Sequence, residues 1–144
     1  MRHLSNREVR TIQAIAEILI PEGGSFPLGY KEVEIVPFVE NFLGGVPLRV
    51  RIFVYINLWI MEYFSWIAVK SPWIFSGMSL KKRDEVIRKL RKNRWFAIRG
   101  IYMFTSIILL MAFYRDARVM NAIGYYGHIE NVNKKTKNIS NDVQ

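Results

Sequence analysis

The chain has 144 residues, no cysteine and a formal net charge of +9, with 51% hydrophobic and 14% aromatic residues. Its length suits one domain with a core of its own, and the missing cysteines exclude both a disulfide framework and a thiolate metal site. The aromatic content, joined by six methionines, is rich for a soluble domain of this size, a surplus that points to a covered partner face or a membrane.

Ser5 and Glu8 stand at capping-box spacing, with Val9, Ile12, Ala16 and Leu19 following at helical intervals. A first helix therefore starts close to Met1 and stops at Ile20, because the residue before Pro21 is pushed out of the α region. A loop rich in glycine and proline follows. The second helix is expected over 35–43, with Pro37 in its first turn and Gly44 and Gly45 ending it. From Pro47 to Val69 there is no breaker, which is room for roughly six turns. After the break at Ser71 and Pro72, Ser79 is placed to cap a basic helix over 80–92, with an inward stripe of Leu80, Val86, Ile87 and Leu90. A long helix over 94–114 comes next. Asp116 then caps a short helix whose inward residues are Val119, Met120 and Ile123, and Gly124 permits the positive φ of a helix C-terminus.

The expected fold is all-α, a single-domain bundle over 1–127 with two long apolar helices and one basic amphipathic helix. Residues 128–144 are polar and expected to be a disordered tail.

Two stretches bear on a membrane. Residues 52–69 are apolar except for Glu62 and a few polar groups, and 101–113 form an uncharged run preceded by Arg99. Both fall short of a clean span, since crossing the hydrocarbon takes about 20 apolar residues and a central carboxylate costs roughly 2.5–3.5 kcal/mol. A buried or partner-covered helix pair is favoured over two spans. Glu62 and Arg99 each interrupt an apolar run, so the two helices are expected to lie antiparallel with these side chains forming a buried ion pair.

The positive charge is local. Nine bases against Asp84 and Glu85 give residues 81–99 a charge of +7. Lys81, Lys82, Arg88, Lys89, Arg91, Lys92 and Arg94 form a patch fit for phosphates, anionic lipid or an acidic protein surface. Trp95 and Phe96 at its end lean the reading towards lipid, and nucleic acid is disfavoured because no recognised binding motif accompanies the patch.

No catalytic residue emerges. Neither His3 nor His128 sits beside a nucleophile or a second metal ligand, and no glycine spacing matches a phosphate loop or a dinucleotide fingerprint. Tyr125 and Tyr126, framed by Gly124 and Gly127, are suited to a half-buried contact, and with Trp59, Trp66 and Trp73 they are the expected partner interface.

Several segments in order resemble one family: LSNRE at 4–8 leading to AEILIP at 16–21, FSGMS at 75–79 before a charged helix, then YRDARV at 114–119 with AIGY at 122–125. Together they resemble the small subunit, subunit 3, of gluconate 2-dehydrogenase and the related N-terminal segment of long-chain alcohol oxidases. The resemblance implies a cofactor-free, non-catalytic accessory subunit that stabilises or matures a large FAD-dependent dehydrogenase of the glucose–methanol–choline type. The FAD would sit in that partner, with a cytochrome or other electron-transfer subunit as a further associate. Ile20, Pro21, Asp116, Gly124 and Tyr125 are the matching positions, all structural or interfacial. Relatives that accompany periplasmic enzymes begin with a twin-arginine signal, whereas this domain starts at once. The expected location is therefore cytoplasmic, at the inner membrane face through the basic helix, and periplasmic only with a partner that carries the signal. A small membrane protein with two apolar helices is the alternative.

Overall fold

The computed structural model describes residues 3–23, 28–70 and 72–125, so Tyr126, His128 and the expected tail lie outside it. Six α-helices account for the described architecture: α1 Asn6–Leu19, α2 Ile35–Gly45, α3 Leu48–Val69, α4 Leu80–Arg91, α5 Phe96–Arg115 and α6 Ala117–Ala122. A 3-10 turn, Phe75–Gly77, joins α3 to α4, and no strand occurs among the described residues.

Local chemistry sets most of the boundaries. The capping box forms as the spacing implies: Glu8 N–H donates to Ser5 Oγ at 3.4 Å and Ser5 N–H to the Glu8 carboxylate at 2.6 Å. Lys70 stops α3 by entering the left-handed region at φ 47°, an uncommon choice for a residue with a Cβ. Asp116 accepts from Arg118 N–H at 2.9 Å to start α6, and Gly124 ends that turn at φ +75°. Three expectations at the boundaries fail. Helix α2 runs on through Gly44 and Gly45 and stops at Val46, where the backbone turns extended. Ser79 occupies the N-cap of α4 without its hydroxyl capping, and α5 begins at Phe96, later than 94, because Asn93 Oδ1 takes the Trp95 N–H and holds the chain in a turn.

Helix α3 is the centre of the bundle. Its Val54, Leu58 and Met61 meet Ile12, Ile15 and Ala16 of α1, Val39 and Leu43 of α2, Leu109 and Ala112 of α5, and Val86 and Leu90 of α4 in one core that Phe75 and Val119 complete. Leu80 and Ile123, expected on inward stripes, are about half exposed, since each sits at the first or last residue of its helix region, where no neighbouring element covers it.

Candidate functional site

Glu62 is the most deeply buried carboxylate among the described residues, 1% exposed, yet no cation reaches it. Thr11 Oγ1 donates to one carboxylate oxygen at 2.8 Å, the Ser76 N–H donates to the same oxygen at 3.2 Å, and the Ser76 hydroxyl donates to the other. The expected Glu62–Arg99 pair therefore does not form. Glu62 lies on the face of α3 turned to α1 and the 3-10 turn, whereas α5 meets α3 around Val54, Asn57 and Leu58. Arg99 points away, with exposed Phe96 three residues before it and exposed Met103 four after, and its guanidinium lies 5.9 Å from the Phe96 ring centre. A buried carboxylate closed by hydroxyls and one amide is a clamp between α1, α3 and the turn.

The outer surface of α3 and α5 is unlike that of the other helices. At 100° per residue, Phe53, Ile60, Ile67, Ile56, Tyr63, Ile52, Trp59 and Trp66 fall in that order across an arc of roughly 140° on α3. Arg49, exposed in the first turn, is the one charged side chain of α3 within the arc. Trp59, Trp66 and Ile67 are 62%, 67% and 73% exposed. On α5, Phe96, Met103, Ile107, Met111 and Tyr114 form an outward stripe of about 80° by the same geometry. Phe53 joins the two surfaces by packing edge-on against Phe104 with ring centres 4.8 Å apart. The result is one apolar face. Eleven large side chains, each about half exposed or more, present on the order of 1,000 Å², above the few hundred typical of a monomer's largest patch and comparable to one side of a standard interface.

Of the residues expected to meet a partner, Trp59 and Trp66 lie in this face, Trp73 is 64% exposed beyond the end of α3, and Tyr125 is 53% exposed after α6. Tyr126 is outside the described residues. Ile52, Ile56, Met103, Ile107 and Met111 belong to the face but were missed from sequence, where an apolar run reads as buried; only the absence of inward-outward alternation along α3 and α5 hinted that both sides are apolar. The length and hydropathy of α5 are those of a membrane span, with mean hydropathy 1.9 and a third of the window buried, and among the described residues no other helix has both.

The basic residues gather on the outer side of α4. Lys81, Arg88, Lys89 and Lys92 line an open cleft of about 760 Å³, whose remaining wall includes Phe64 of α3. Arg83 is the exception, since it turns inward to bind Glu17 and donates to the Met78 carbonyl at 2.8 Å, tying α4 to α1. At the far side of the molecule the Arg118 guanidinium, hydrogen-bonded to Asp116, holds that carboxyl below its usual 3.8. Among the described residues no cluster of three His, Asp or Glu side chains could hold a metal. Comparison with family models, curated proteins and solved structures finds no match to this chain.

Proposed function

We propose that this chain is a non-catalytic accessory subunit that binds and stabilises, or helps to mature, a large FAD-dependent dehydrogenase of the glucose–methanol–choline type acting on an alcohol or sugar. One observation carries the docking half of this reading: the continuous apolar face of α3 and α5 on a chain whose opposite side already has a closed core. Exposing that much apolar surface is costly in water, so the face is best explained by a partner that covers it. The identity of the partner rests on the ordered segments at 4–8, 16–21, 75–79 and 114–125. FAD belongs to the partner in this reading, and a cytochrome or similar electron carrier is a further associate. The complex is placed in the cytoplasm, at the inner membrane face.

Co-expression with the flavoprotein of an adjoining reading frame tests the proposal. The two chains are expected to elute together with flavin absorbance, and Trp59→Asp combined with Ile107→Asp is expected to separate them while helicity is retained. A chain that is monodisperse alone and elutes apart from the flavoprotein would refute it.

A second reading, a small membrane protein built on α3 and α5, is favoured by the length and hydropathy of α5. Against it, α1 and α4 pack on the same two helices and would carry Arg10, Lys81, Lys82 and Lys92 towards the hydrocarbon. Alkaline carbonate extraction separates the two, because a spanning protein stays with the membrane and an accessory subunit is released.

A further inference from the structure

Helix α4 neutralises its acids internally. Asp84 pairs with Arg88 and Glu85 with Lys89, each one turn apart, the latter at 3.0 Å. Lys81, Lys82, Arg91, Lys92 and Arg94 remain exposed, and among the described residues none has an acidic group within 4.0 Å. The uncompensated charge is thus on the outer face of one helix. Immediately after it, Trp95 and Phe96 are 74% and 77% exposed, the most exposed aromatic side chains among the described residues.

Cations alone would serve phosphates of any origin. What narrows the chemistry is the order of the surface. Phe96 heads the outward stripe of α5, followed by Gly100, Met103 and Ile107, so the protein surface passes from cations through two rings to aliphatic side chains without an intervening acid. A bilayer surface passes through the same sequence, from phosphate to interface to acyl chain, and amphipathic aromatics favour its middle layer. Nucleic acid would use the cations and rings but not the aliphatic side chains that continue from them. Nor does α4 project as a recognition helix, because Val86, Ile87 and Leu90 pin it to the bundle.

We propose that the outer face of α4, with Trp95 and Phe96, forms a site for an anionic phospholipid surface, the lipid phosphates lying along Lys81, Lys82, Arg91, Lys92 and Arg94 and the two rings entering the interface. This goes beyond the accessory-subunit reading: the cations of α4 lie off the apolar face and Phe96 is shared with it, so the charge preference stands or falls independently of the partner.

Full-length chain made by cell-free synthesis, in the presence of vesicles, tests the site by flotation. Vesicles with roughly one-third phosphatidylglycerol in phosphatidylcholine are expected to capture the chain at least about tenfold more tightly than phosphatidylcholine alone. The preference shrinks as salt shortens the Debye length from about 10 Å at 0.1 M to about 3 Å at 1 M. Replacing Lys81, Lys82, Arg91 and Lys92 together by Gln is expected to abolish the preference, at roughly fivefold for each cation removed. Trp95→Ala with Phe96→Ala is expected to weaken capture by anionic vesicles while leaving the salt dependence in place. All six positions are exposed, so far-UV circular dichroism of the variants should match the parent. Equal capture by neutral and anionic vesicles, or a four-fold Gln variant captured like the parent, would overturn the site. So would a duplex or single-stranded oligonucleotide that displaces the chain from anionic vesicles at physiological salt, which would reassign the patch to nucleic acid.

Discussion

Replacing Glu62 discriminates between two pictures of the bundle. If its carboxylate is held by Thr11 and Ser76, Glu62→Ala removes the acceptor of the Ser76 N–H and hydroxyl and leaves a void where a fully buried side chain stood. Thr11 suffers less, because its hydroxyl also reaches the Arg7 carbonyl at 3.0 Å. Two donors losing their acceptor at about 1–2 kcal/mol each, plus the void, give a loss of about 3–5 kcal/mol. Glu62→Gln keeps one acceptor oxygen and offers an amide that the hydroxyl oxygens of Thr11 and Ser76 accept, so about 1 kcal/mol is expected. Arg99→Gln, at an exposed position, should stay within about 0.5 kcal/mol. Urea unfolding followed by circular dichroism measures all three, and a cycle combining Glu62→Gln with Ser76→Ala should show a coupling of about 1 kcal/mol. The reasoning is refuted if Arg99→Gln costs as much as Glu62→Ala, which would restore the ion pair, or if Glu62→Ala costs under about 1 kcal/mol.

Three other outcomes are expected. Ser5→Ala should destabilise by about 1 kcal/mol through loss of the Glu8 N–H to Ser5 Oγ bond, the backbone N–H of residue 5 still reaching Glu8, read as a shift in the urea midpoint at constant slope. Because the Asp116 carboxyl is held below 3.8 by Arg118, its contribution is fully present above that value and is lost as pH falls through the lower folded value; amide resonances of α6 should shift in that acid window, and Asp116→Asn should keep the cap while removing the pH dependence. Asn57 is 2% exposed and its Oδ1 has no hydrogen-bond partner, so Asn57→Leu, against the small void beside Leu58, Phe104 and Thr105, should leave the unfolding midpoint unchanged or raise it. A loss of more than about 2 kcal/mol would show that the amide oxygen holds a structural water.

In the two proposals the surfaces divide the molecule's tasks. The apolar face of α3 and α5 fits a protein partner that excludes water over a wide area. The α4 face needs no such enclosure, since exposed cations retain their hydration and act at a distance of a Debye length. A subunit carrying both could hold a larger enzyme against a charged membrane, and the vesicle and co-elution experiments test the two halves separately.

Much of the fold is legible from residues four positions apart or fewer. Ser5 with Glu8, Pro21, Asp116 and Gly124 act on their own backbone, so each of these caps or stops could be read without knowing the neighbours. The basic character of α4 was likewise readable, because charges do not hide in composition. Three things were not legible. An apolar run states that a surface avoids water but not on how many sides it is covered, and α3 and α5 prove to be covered on one side only. Glu62 announced a buried polar contact, but its partners come from 51 positions before and 14 after, a meeting that only the packing of α1 and the 3-10 turn against α3 brings about. Arg99 was misjudged for the same reason. Sequence by itself thus determined which segments are helical, several of their ends and which carries the charge, since those follow from local backbone chemistry. Tertiary structure alone decided which face of each helix meets another, and with it which hydroxyls receive Glu62 and which aromatics are left facing outward, because helix pairing is settled by shape and burial over long separations.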